Sequence, residues 1–259
     1  MKEKEEKTWD TAAEIRAEQK EALKNMSFKQ KAAYFWEYYR LHVFIAIAVV
    51  AVVVSIVGPI INRKPYSFYA IMLNSYELDG NQMAADFAAF ADLDTENFTC
   101  FIDTTSLVDI NITSENDIAA IQRVLALAMA GDLDVIVTDG PTFLYYGYGL
   151  LFGDLRLILT AEELEGYEGR LFYIDQAEID RRDAEGPDLS EEYTTELDVE
   201  EGIAETERHR DPSEMGDPVP IGVFMGANES YAPYEPIFGF VVSSSRMETA
   251  QLYLDFLKE

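Results

Sequence analysis

Histidine is nearly absent from this chain. Among 259 residues only His42 and His209 carry an imidazole. That excludes a histidine-based catalytic triad and a multi-histidine metal centre. Cysteine is scarcer still. Cys100 is alone, so no intramolecular disulfide forms, and whatever folds does so on an apolar core. Cys100 lies in the apolar stretch 98–102 and reads as a buried small hydrophobe. No G-x-S-x-G, phosphate-binding loop or C-x-x-C is present. Asp92-Leu93-Asp94-Thr95-Glu96 lacks the glycine and the distal glutamate of a calcium loop. Carboxylates abound, but a glycosidase needs two at a set separation, and abundance selects none. The expectation is no enzyme and no cofactor.

Basic residues are also few beyond residue 64. Residues 65–259 hold nine Lys or Arg against 40 Asp or Glu, a net of −31, whereas 1–64 hold eleven against eight, a net of +3. So acidic a domain repels nucleic acid and attracts cations, although the same charge also serves plain solubility. The densest part is 176–217, with sixteen acidic and four basic residues. It reads as an acidic insertion, exposed and partly disordered or weakly helical.

What the chain does contain is the uncharged run Val43–Ile61, VFIAIAVVAVVVSIVGPII. At about 1.5 Å per residue it reaches roughly the 30 Å of a bilayer's hydrocarbon core. A cleaved signal peptide has a shorter apolar region after a short basic start. Here a long tail comes first, no clear A-x-A cleavage site follows, and no cysteine stands where a lipid would be attached. An uncleaved signal anchor fits. Lys24, Lys29, Lys31 and Arg40 precede the run, while only Arg63 and Lys64 follow it before Arg123. Basic residues stay inside. This predicts a cytoplasmic tail over 1–42, a transmembrane helix over 43–61 and an extracellular domain over 65–259. Trp36, Tyr38 and Tyr39 either sit at the headgroups or pack a short helix. Residues 28–40 either lie along the membrane surface or continue the membrane helix. A polar helix over 14–24 is opposed by the like-charge pairs Glu14–Glu18 and Arg16–Lys20.

In the outer domain, Phe68–Leu73 is an unbroken apolar run, which suits a strand buried on both faces. Residues 98–102, 107–112, 135–137, 171–174, 221–224 and 237–242 read as further strands. Helical spacing marks 82–92, and Ser114–Asp117 supplies caps for a helix ending at Gly131. Helices over 142–152 and 247–257 follow. The alternation predicts an α/β fold with a mainly parallel sheet.

Ala126–Asp139, ALAMAGDLDVIVTD, resembles the helix, Gly-Asp turn and strand of the periplasmic-type extracellular solute-binding proteins. Pro141–Leu155 resembles that family's next helix before a Gly-Asp-Leu turn. Ile237–Val242 and Met247–Leu257 resemble a strand crossing between lobes and the helix after it. The layout is also similar to single-pass membrane proteins of Gram-positive anaerobes. The resemblance implies a binding-protein fold with a reduced second lobe and a ligand cleft between strand ends. It departs from the family in length, and in using a membrane helix where the family has a lipid-anchor cysteine.

In open α/β sheets, ligands sit beyond the carboxyl ends of strands. Two such ends can be named: Asn74-Ser75-Tyr76, and Asp139-Gly140 with Thr142. Their amide, hydroxyl and carboxylate groups suit a polar ligand, and Gly140 permits close backbone approach. Tyr145 and Tyr146 suit stacking. Asn228, Tyr231 and Tyr234 form a second aromatic and polar cluster. The same residue types also make ordinary turns and core caps. The expected function is a membrane-tethered, non-catalytic domain binding a small polar or cationic solute, as a transporter accessory or sensor, with Asp139 selecting a cation. The alternatives are an envelope interaction module with a disused cleft, docking a partner through its tail or acidic insertion, and a carbohydrate-active enzyme.

Overall fold

The computed structural model describes residues 27–61, 64–112, 114–185 and 198–258. The polar helix expected over 14–24, the flanking Lys24 and Arg63, and the middle of the acidic insertion lie outside them. The chain divides into two units, Met1–Arg63 and Lys64–Glu259.

The first unit holds helix α1, Phe28–Ile61. The stretch 28–40 thus continues the apolar helix. Within α1, Tyr39–Gly58 is 20 residues long with a mean hydropathy of 2.8, long and apolar enough to cross a membrane. None of it is buried. Phe44, Ile45, Val50, Val53 and Ile56 all point outward, which fits a membrane anchor and not a core helix. Phe35 stacks on Tyr39 at 4.8 Å, and Trp36 meets Phe44 edge-on at 6.0 Å.

The second unit is built on one six-stranded sheet. Its strands are β1 Tyr66–Met72, β2 Thr99–Asp103, β3 Val135–Thr138, β4 Leu171–Asp175, β5 Pro218–Phe224 and β6 Ile237–Phe240. Their order is β2-β1-β3-β6-β5-β4. β1 pairs with β2 and β3 in parallel, with Ile71 opposite Ile136 and Met72 opposite Val137. The pairs β3–β6, β6–β5 and β5–β4 are antiparallel. The sheet is therefore mixed and mostly antiparallel, which corrects the expectation of a mainly parallel one. Helical crossovers link β1, β2 and β3. β5 reaches β6 through residues 225–236 without an α-helix, and such a connection returns the chain antiparallel.

Helices cover both faces. They are α2 Gly80–Phe90, α3 Glu115–Met129, α4 Gly140–Tyr148, α5 Leu155–Ile158, α6 Ala161–Glu165, α7 Gln176–Glu185, α8 Val199–Arg208 and α9 Met247–Phe256. Successive β1 side chains point to opposite faces. Tyr69, Ile71 and Leu73 meet α3 and α4 through Ile121, Val124, Phe143 and Tyr146. Phe68, Ala70 and Met72 meet α2 and α9. There Phe68, Phe87 and Tyr253 form a triangle with ring centroids 4.7–4.8 Å apart. Burial on both faces explains why β1 reads as a continuous apolar run. Cys100 in β2 is half-buried, and burial pushes its thiol up to about 11.

Candidate functional site

β1 is flanked by β2 on one side and β3 on the other, and the helices leaving β1 and β2 cover opposite faces. Strand order therefore reverses between β1 and β3. A crevice forms at the carboxyl ends of such a strand pair. Asn74 follows β1 there, and Asp139 follows β3.

Asn74 has φ +58°, a conformation that Asn tolerates better than most residues. Its Nδ2 donates to Asp139 Oδ2 at 2.6 Å and to Val108 O at 3.0 Å, and its Oδ1 accepts from Val108 N at 2.8 Å. Asp139 caps α4, with Oδ1 accepting Thr142 N at 3.0 Å, while the Thr138 hydroxyl donates to Oδ2 at 3.3 Å. These donors are neutral, so they hold the Asp139 carboxylate without cancelling its charge. Ser114 donates its main-chain N–H and its hydroxyl to Asp117 Oδ2, at 2.7 and 2.8 Å. Asp109 accepts from Asn111 N at 2.9 Å.

A cavity of about 360 Å³ opens above these groups. One wall is the strap Leu107–Asn111. The other carries Asp139, Pro141, Thr142, Tyr231 and Tyr234. Its lining includes three carboxylates, Asp109, Asp117 and Asp139, and three phenols, Tyr76, Tyr231 and Tyr234, with no Lys, Arg or His among the described residues. Tyr231 is buried, donates to Val137 O at 3.2 Å, and has its phenol pushed up, chiefly by burial. Tyr234 is pushed up by burial and then by the charges of Asp139 and Asp198.

A second cavity of about 520 Å³ adjoins the first and shares Ile110, Asn111 and Pro141 with it. Leu144, Tyr145 and Tyr148 of α4 line it, as do Gly202, Glu205 and Thr206 of α8. The acidic stretch 176–217 thus supplies α7 and α8, and α8 is seated on α4. An added Cβ at Gly140 would overlap Thr206.

Of the residues singled out from sequence, Asn74, Tyr76, Asp139, Thr142, Tyr231 and Tyr234 line the first cavity, and Tyr145 lines the second. Ser75 is buried and donates to Met72 O at 2.8 Å. Gly140 lies under Thr206, Tyr146 is in the core, and Asn228 is an exposed cap of a short 3-10 helix. The strap was missed as a wall because residues 107–112 alternate like a strand. They form none, since the Asn74 side chain takes the Val108 main-chain groups that a neighbouring strand would take. Asp117 was visible only as a helix cap. Among the described residues no three His, Cys, Asp or Glu side chains are grouped to hold a metal ion. No family model, curated protein or solved structure matches the chain.

Proposed function

We propose that this chain is a membrane-tethered, non-catalytic binding domain that takes a small cationic solute outside the cell, as a transporter accessory or sensor. α1 is the anchor in this reading, with the N-terminus cytoplasmic by the basic bias of the tail. The domain is a reduced relative of the solute-binding proteins, with a single sheet in place of two full lobes.

The lining of the first cavity carries the reading. Three carboxylates and three tyrosines line it, and no basic side chain does among the described residues. A cation 4 Å from one carboxylate gains about 4 kcal/mol at an effective dielectric near 20, and about 1 kcal/mol in water. Tyrosine faces add roughly 0.5–2 kcal/mol through their quadrupoles. An anion is repelled by each of the same carboxylates. The cavity volume also falls within the roughly 300–1,000 Å³ of small-ligand sites. Among the described residues no Lys, His or Cys lines it.

The test is a thermal-shift titration of the full chain in detergent, against primary amines, quaternary ammonium ions, polyamines, sugars and acidic amino acids. A solute that binds only the folded state raises Tm by mass action. The expected result is a saturable shift from amines and none from acidic amino acids. Asp109→Asn should weaken the amine several-fold while keeping the acceptor for Asn111 N. A panel in which no cation shifts Tm overturns the proposal.

A further inference from the structure

We infer that the ligand is an amphiphilic cation, with its ammonium in the first cavity and an apolar or aromatic body in the second. This deepens the binding reading above and rests on it.

The two cavities are neighbours with a common wall. Ile110, Asn111 and Pro141 belong to both. On one edge of the divide α8 packs closely: an added Cβ on Gly202 would stand 3.0 Å from Pro141 Cγ and 3.4 Å from the Tyr234 hydroxyl. The strap residues Ile110 and Asn111 line both spaces, and a ligand that spans them lies along the strap.

Their chemistry differs. The first is acidic. In the second, the two charged side chains are already engaged. Arg182 pairs with Glu178 at 2.6 Å and lies 4.9 Å over the Tyr148 ring. Glu205 pairs with Arg208, and His209 Nε2 stands 3.8 Å from its other oxygen. A ligand entering there meets chiefly Ile112, Leu144, Tyr145 and Tyr148. Ile112 and Tyr145 are 46% and 40% exposed, so apolar surface is left for a ligand to cover. A small inorganic cation or a short amine would fill only the acidic half. A cation with an apolar body would cover both.

The experiment is calorimetric titration of the full chain in lipid nanodiscs with phenethylamine, ethylamine and 2-phenylethanol. Phenethylamine should bind at least tenfold tighter than either of the others. Tyr145→Ala and Ile112→Asn should each cut its advantage over ethylamine to about threefold or less. Ile112 has φ +51°, which Asn adopts more readily than Ile, so that variant tests the cavity without straining the fold. Equal affinity for phenethylamine and ethylamine overturns the inference and leaves the cation reading standing. So does an advantage that survives in both variants. Equal affinity for 2-phenylethanol overturns the placement of the ammonium. Binding of none of the three overturns both readings.

Discussion

Asn74 is bonded to the main chain of Val108 through both ends of its side-chain amide, at 3.0 and 2.8 Å, as a neighbouring strand would be. Its remaining Nδ2 hydrogen reaches Asp139. One side chain therefore joins the end of β1, the end of β3 and the strap. Asn74→Ala should lower the unfolding free energy by about 2–4 kcal/mol, from part-buried groups left unpaired and from a positive φ that alanine resists. Asn74→Gly should recover about 1 kcal/mol of that, the backbone share alone. Urea denaturation of the set decides. A loss below about 0.5 kcal/mol for Asn74→Ala would mean that the amide does not hold the strap.

Asp134 is fully buried and bonded to Arg246 Nε at 2.9 Å, Tyr69 N at 2.8 Å and the Ser244 hydroxyl. Burial pushes its carboxyl up, against the bonds that pull it down. A carboxyl raised in the folded state is ionised there at a cost, and stability falls as pH rises through its folded value. Arg246→Met takes away one of the pulling partners. It should cost about 3–5 kcal/mol at pH 7.5 and less at pH 5, closer to the raised value at which the carboxyl takes up a proton. Denaturation at the two pH values reads the difference, and an equal loss at both would contradict it.

His209 carries the opposite sign. Its ring stacks on Phe172 at 4.8 Å, and Nδ1 lies 2.6 Å from Tyr173 O, so this nitrogen holds the proton. Burial pushes its pKa down, although Tyr173 and the charges of Glu205 and Glu178 pull it up. A base depressed in the folded state loses stability as pH falls through its unfolded value, about 6.5. His209→Asn keeps a donor for Tyr173 O and does not titrate. The dependence of unfolding free energy on pH between 7 and 5 should become shallower in this variant. Parallel curves would assign the dependence to other groups.

Gly140 and Thr206 set the approach of α8 to α4. Gly140→Ala should cost about 1–3 kcal/mol by overpacking, and Thr206→Gly should return part of it in the double variant. A double-mutant cycle gives the coupling. Strict additivity would show that the helices adjust without strain.

Val50 lies near the middle of Tyr39–Gly58. A charged residue at the centre of a membrane helix costs about 2.5–3.5 kcal/mol on insertion scales. Val50→Arg should therefore reduce the fraction resisting carbonate extraction from membranes. An unchanged fraction in Val50→Arg would argue against α1 as the anchor.

Much of this molecule is legible in sequence. Phe68–Leu73 and Val135–Val137 lie within two residues of β1 and β3, because strands buried on both faces leave an unmistakable apolar run. Asn74 and Asp139 followed from their place at the ends of those strands. Strand direction beyond β3 was less visible. The only clue is that 225–236 lacks a helical period, and the alternation elsewhere outweighed it. Tyr145 and Tyr146 show a second limit. Adjacent helix positions differ by about 100°, and the phase is set by Phe143 and Tyr146 entering the core together. No local feature could reveal that Gly140 faces Thr206, or that Asn74 would bond Val108, because both contacts join distant parts of the chain.

The last strand in sequence, β6, is central in space, lying between β3 and β5. On the ribosome, β1–β3 emerge first with the open side of β3 unpaired, and β4 and β5 follow as a separate antiparallel pair. Neither half has its partner until residues 237–240 appear. α9 comes later still and covers Phe68 and Phe87 of the first half. A chain cut before Ile237 would keep two bare sheet edges, which invite aggregation. The segment from Ile237 onward therefore acts as the clasp of the sheet: β3 and β5 lose their bare edges only when it is in place.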